Sequence, residues 1–209
     1  MIARRLFLAA PAALALPVLA SRPALAAPAV GAAAPAFSTT DSNGKPVTLA
    51  QFAGKPVVLE WTNDGCPYVR KWYGANAMQD LQRQAAAMGA VWLSVISSPP
   101  GEQGFAEGPR ANELTTARNA APAHVLLDPD QKLARLYGAT VTPTIFIIDG
   151  QGTLVYSGGA DSIASARPDD LAKATPYVKL ALAAMAAGQP IPHSVTRPYG
   201  CVVKYRTQA

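Results

Sequence analysis

Cysteine is nearly absent from this chain: Cys66 and Cys201 are the only two in 209 residues. At most one intramolecular disulfide is available, so no framework of bridges can hold the fold. No stretch combines clustered Lys and Arg with aromatic residues, which argues against nucleic acid as a partner. Beyond residue 26 no apolar run approaches the roughly 20 residues that a membrane-spanning helix needs. No internal repeat and no second domain can be read, and the length suits one domain. What the chain does have is apolar mass: half of its residues are hydrophobic, enough for a sizeable core.

The first 26 residues have a composition of their own. Arg4 and Arg5 precede an apolar run from Leu6 to Leu19, and Ala24-Leu25-Ala26 closes it. A basic start, an apolar middle and a small-x-small end predict a cleaved secretory signal. Pro11 and Pro17 interrupt the run, against a membrane anchor, and no cysteine near the cleavage site offers a lipid attachment point. "RRLFL" also matches a twin-arginine export core, leaving two export routes open. Cleavage after Ala26 removes three arginines, so the net charge falls from +5 to +2. The expected location is the periplasm, an oxidising compartment where two cysteines can bond or cycle.

Strand and helix signals then alternate. "FSTTDSNGKPVTLAQF" (37–52) predicts a hairpin turning at Asn43-Gly44. "KPVVLEWT" (55–62) and "AVWLSVI" (90–96) predict buried strands. Between them a helix should start at Pro67, weaken at Gly74, and restart on an Asn76–Gln79 capping box. "SSPPGEQGFAEGPR" (97–110) predicts a loop, which either covers the chain near Cys66 or forms a surface excursion. A helix follows from about Asn112 to Ala120, then strand 123–128 and a short helix at 131–137. Segments 142–149 and 153–158 predict a second hairpin across Gly150-Gln151-Gly152. Thr175 should cap a last helix that ends at Gly188. The expected organisation is a signal (1–26), one α/β domain (27–189) and an irregular tail (190–209) that carries Cys201.

Cys66 stands between a strand and a helix. Pro67 suits a first helical position, which makes Cys66 the N-cap. Unpaired N–H groups and the positive end of the helix dipole favour an anion there. Arg70, one turn on, and Lys71 add positive charge, and each favours the thiolate that attacks. The alternatives are a half-cystine or a buried inert thiol.

"PAFSTTDSNGKPVTLAQFAGKPVVLEW", then Cys66 at a helix start, then "VTPTIFIID", resembles the thioredoxin-like redoxins over roughly residues 35 to 160. "EWTNDGCPYVRKWY" with the tail "RPYGCVVKY" is similar to an exported peroxiredoxin-like (AhpC/TSA-type) group with one cysteine at the active turn. The resemblance implies a thioredoxin-like α/β fold: a central mixed sheet covered by helices on both faces, with an N-terminal hairpin. It implies a cis Pro143 in a loop against Cys66, with Thr142, Pro143, Trp61 and Pro67 beside the substrate. It implies a buried acid at Glu60 that moves protons during exchange; a solvated carboxylate at an edge position, or pairing with a lysine such as Lys55, is the alternative. No cofactor is implied. Departures matter as well. Val69 replaces the second cysteine of a Cys-x-x-Cys pair, and the peroxidatic Pro-x-x-x-Thr-x-x-Cys pattern is not kept around Thr62. Arg70 holds the place of a second copper ligand, so no metal site is expected.

Cys201 is the one available partner for Cys66 within the chain, as a resolving thiol or as half of a permanent bond; a bridge to another molecule and an unpaired thiol are the other two alternatives. Two readings follow. One is an exported thiol oxidoreductase acting on a disulfide-bearing protein or a small peroxide, with a separate reductant. The other is a binding module stapled by Cys66–Cys201.

Overall fold

Strands that are apolar on both faces decide the architecture, because such strands must lie inside a sheet covered on both sides. The computed structural model describes residues 27–206. β3 (Val57–Trp61) buries all five of its residues. Its side chains alternate: Val57, Leu59 and Trp61 join one core cluster and Val58 the other. β7 (Thr144–Ile148) divides the same way, with Phe146 and Ile148 on one face and Ile145 and Ile147 on the opposite one. Each fully buried large side chain of this kind contributes about 1.5–3 kcal/mol.

β1 (Ser38–Asp41) and β2 (Pro46–Thr48) form the expected antiparallel hairpin. With β4 (Val91–Ile96), β5 (His124–Leu127) and β8 (Leu154–Gly158) they complete a seven-stranded mixed sheet, ordered β2-β1-β5-β4-β3-β7-β8. β3, β4 and β5 are parallel neighbours, and β7 returns antiparallel to β3. α1 (Pro67–Gly74), α2 (Ala77–Ala87) and α5 (Tyr177–Ala186) cover one face. α4 (Lys132–Tyr137) packs on the other, where Trp61, Tyr137 and Phe146 meet ring to ring. Among the described residues no helix is long and apolar enough to cross a membrane. The leader expected at residues 1–26 lies outside the described residues.

Local expectations differ at three places. The Asn76–Gln79 capping box does not form: Asn76 adopts a left-handed φ of 57° and caps nothing with its side chain. The chain must turn sharply between α1 and α2, and asparagine tolerates that conformation. Gln79 instead donates to the carbonyls of Tyr73 (3.0 Å) and Arg118 (2.7 Å). α3 (Gly108–Ala117) starts four residues before the expected Asn112, because Pro109 fits its first turn. α5 begins at Tyr177, with Pro176 as the capping residue in place of Thr175.

The tail was expected to be irregular, yet it contains a strand. β9 (Cys201–Val202) pairs antiparallel with β6 (Val141–Thr142), matching Thr142 with Cys201. On either side, Thr196 bonds to Ser157, while the Tyr205 hydroxyl donates to the Ala139 carbonyl (2.6 Å). Residues 195–206 thus form a strap across the carboxyl end of the sheet.

Candidate active site

β3 delivers the chain to a tight turn, Thr62–Gly65, which fixes where α1 begins. The Asn63 side chain accepts the Gly65 amide (2.8 Å), and its carbonyl accepts the Cys66 amide (3.0 Å). The loop after β4 covers this turn, which resolves the alternative left open by the sequence. Asn63 Nδ2 donates to the Gln103 carbonyl (3.2 Å), and Gln103 Nε2 donates to the Gly65 carbonyl (3.2 Å). A Cβ at Gly65 would come within 2.5 Å of the Gln103 side chain, which would have to move aside.

Cys66 is the N-cap of α1 and is completely buried. Its sulfur does not accept a helix N–H, as the sequence suggested; it donates to the Thr142 carbonyl at 3.2 Å. Cys201 is half-buried, and both thiols are free. Burial, and then the hydrogen bond and charge of the adjacent Cys66, push the Cys201 thiol up to about 12. The β6–β9 pairing therefore carries Cys201 to Cys66, 135 positions apart in the sequence. Gly200 allows this approach: with φ 146°, its backbone lies against the Thr142 carbonyl, where any side chain would collide.

The Thr142–Pro143 bond is cis. Thr142 and Pro143 are buried, however, because the strap already occupies the edge expected to meet substrate. Trp61 is 1% exposed and belongs to the core on the other face, with its indole donating to Ser97 Oγ (3.0 Å); it presents no surface to a substrate. Pro67 alone of the four expected contact residues is exposed. Arg70 is also exposed, and its Nε donates to the Asp64 carbonyl (2.8 Å), so it secures the turn and makes no hydrogen bond to the sulfur.

Glu60 is neither an edge carboxylate nor a partner of Lys55. It is fully buried on β3 between β4 and β7. Tyr73 (2.8 and 2.9 Å), Trp92 (2.8 Å), Ser94 (3.0 Å) and Gln82 (3.3 Å) all direct hydrogens at it. Burial raises its pKa above the usual carboxylate range, against the opposing hydrogen bonds of Trp92 and Tyr73 and the charge of Arg118.

Sequence reasoning missed a second buried polar group. Lys71 was read only as positive charge near Cys66, yet its ammonium is fully buried, 2.8 Å from the equally buried Asp161 carboxylate. The Tyr199 hydroxyl joins them, accepting from Lys71 (2.8 Å) and donating to Asp161 (2.6 Å). The one available signal was "RPYG" beside Cys201; nothing in the sequence points to Asp161. Among the described residues no cluster of His, Cys, Asp and Glu could hold a metal ion.

The sequence pattern of the AhpC/TSA family matches residues 30–157, more than half of the chain, and stops short of Cys201. No curated protein matches. An uncharacterized conserved protein from Geobacillus kaustophilus superposes with TM-score 0.75 at 23% identity, over 87% of this chain and 94% of the other. A hypothetical protein from Sinorhizobium meliloti gives 0.71 at 22%, over 88% and 98%. A Chlorobium tepidum chain, assigned by inference as the thiol:disulfide interchange protein DsbE, gives 0.50 at 26%, over 62% and 84%.

Proposed function

The chain belongs to the AhpC/TSA family of thioredoxin-like thiol oxidoreductases, and from that premise we propose that Cys66 and Cys201 are its reversible redox pair, acting by thiol–disulfide exchange in the periplasm. The observation that carries this reading is the β6–β9 register, which holds two free thiols together at a helix tip beside a cis-proline.

In the reduced state, the Cys66 thiolate attacks one sulfur of a disulfide R–S–S–R′ and releases R′–S⁻, leaving the mixed disulfide Cys66–S–S–R. Cys201 then loses its proton and attacks the Cys66 sulfur. R–S⁻ departs and Cys66–Cys201 remains. Two electrons have passed to the substrate, and a separate dithiol reductant restores the pair. Glu60, kept toward its neutral form by burial on the face that also carries Cys66, is the group suited to exchange a proton during these steps. Because Cys66 is covered, the first attack requires the strap to lift. Peroxide is the less favoured substrate, because the peroxidatic threonine–cysteine spacing is absent.

The complete burial of Cys66 favours a second reading, a permanent Cys66–Cys201 staple in a binding module. One experiment separates the two. Protein recovered from the periplasm, with an intact mass starting near Ala27, is equilibrated in glutathione buffers and the bridge is mapped by mass spectrometry. A Cys66–Cys201 bond with a potential above about −300 mV supports the enzyme, and one below it supports the staple. No bridge at any potential removes the pair. An intact leader on the recovered protein removes the export reading.

A further inference from the structure

A lysine with no exposed surface is expensive, because taking an ammonium and a carboxylate out of water costs several kcal/mol each before their attraction returns anything. Lys71 and Asp161 are such a pair, 0% and 1% exposed. The elements they join give a physical reason for keeping them. Lys71 is on α1, five residues after Cys66. Asp161 is in the loop after β8, held there by accepting the Ile163 amide on Oδ1 (2.8 Å). Tyr199 is on the strap, two residues before Cys201. The ammonium also donates to the Ile163 carbonyl (3.2 Å) and stands 5.2 Å from the Tyr199 ring. That ring also meets Tyr68 of α1 edge to face, at 5.7 Å.

We propose that the Lys71–Asp161–Tyr199 cluster is a positioning device for the redox pair: the Tyr199 hydroxyl, gripped by the buried ion pair, locks the strap to α1 so that Cys201 stands in bonding register with Cys66. This rests on the reading of Cys66 and Cys201 as a reversible pair. The argument is one of length. Residues 199 to 201 are too few to wander once Tyr199 is fixed, and Gly200 is already pressed onto the Thr142 carbonyl. Beyond Cys201, the Val203 amide donates to the Thr140 carbonyl (2.9 Å), so the cysteine is tethered on both sides. Disulfide formation within a chain depends on the effective concentration of one thiol at the other. A strap free to swing dilutes Cys201 without altering either sulfur. Lys71, Asp161 and Tyr199 touch neither sulfur in this role and act through the position of Cys201.

The informative variant is Tyr199→Phe. It removes only the hydroxyl, and Lys71 keeps Asp161 and the Ile163 carbonyl, so the fold survives. Tyr137→Phe is the control, since the Tyr137 hydroxyl donates to the Pro35 carbonyl (2.8 Å) in the other core. Both variants and the wild type are titrated in glutathione buffers, and their melting temperatures are recorded. For Tyr199→Phe the equilibrium constant for forming Cys66–Cys201 should fall about tenfold, near 30 mV for this two-electron couple. Tyr137→Phe should lower the melting temperature and leave that constant unchanged. A Tyr199→Phe protein that melts lower but titrates like wild type overturns the positioning role while leaving the redox pair intact. A wild type that forms no Cys66–Cys201 bond overturns both.

Discussion

At the scale of single residues, Glu60 shows how an unremarkable letter in an apolar strand becomes a titrating group with consequences for folding. Its folded pKa is raised by burial above the ordinary value of 4.5, so the folded protein holds a proton that the unfolded chain gives up first. Below pH 4.5 both states are neutral there and burial carries no charge penalty. As the pH rises from 4.5 toward the raised folded value, Glu60 subtracts from stability at up to about 1.4 kcal/mol per pH unit. Glu60→Gln removes that dependence while keeping the shape, with a constant offset from its altered hydrogen bonds. Urea titrations at several pH values should show the variant gaining on wild type as pH rises from 4.5. A difference that does not change with pH would mean that Glu60 ionises normally in the fold.

At the scale of elements, the loop after β4 and the turn before α1 act as one unit. Gly104 has φ 86°, and a Cβ there would collide with the Asn63 side chain. Gly101 has nearly the same φ, 87°, but faces open space. Gly101→Ala should therefore cost only the backbone strain, about 1 kcal/mol. Gly104→Ala adds the displacement of Asn63, which holds the Gly65 and Cys66 amides, and should cost about 2–3 kcal/mol in all. Urea midpoints at unchanged m-value provide the comparison. Equal losses at the two positions would show that the loop does not brace the turn.

At the scale of the whole molecule, the strap decides whether Cys66 meets solvent. Its neighbours on the sheet side are core residues, and Cys201 packs against the same cluster from the strap. Cys201→Ser keeps the strap and should leave Cys66 protected from iodoacetamide under native conditions. Ending the chain after Thr196 removes the cover, and labelling of Cys66 should accelerate on the order of a hundredfold, as expected when a local opening of about 3 kcal/mol is no longer needed. The truncated chain also loses the buried Val203 and the Tyr205 contact with Arg135, so its melting temperature should fall. Equal labelling rates in the two variants would show that something other than the strap covers the cysteine.

The strands, the helix start at Pro67 and both hairpins were legible in the sequence because each depends on residues close together in the chain, whereas the cis Pro143 was implied by the resemblance to the redoxins. Period, turn residues and a proline at a first helical position are local properties, and they also carried the resemblance that places the chain among the redoxins. Boundaries moved where tertiary demands overrode a local preference, as when Asn76 turned left-handed to let α2 fold back beside α1. The burial of Lys71, its pairing with Asp161 ninety residues away, and the strand made from Cys201 and Val202 left almost no local trace. Two residues cannot hold a strand alone, and a lysine has no reason to be buried until its partner arrives. Sequence by itself determined that a cysteine would stand at a helix tip; only the closing of the strap over that tip decided which groups surround it.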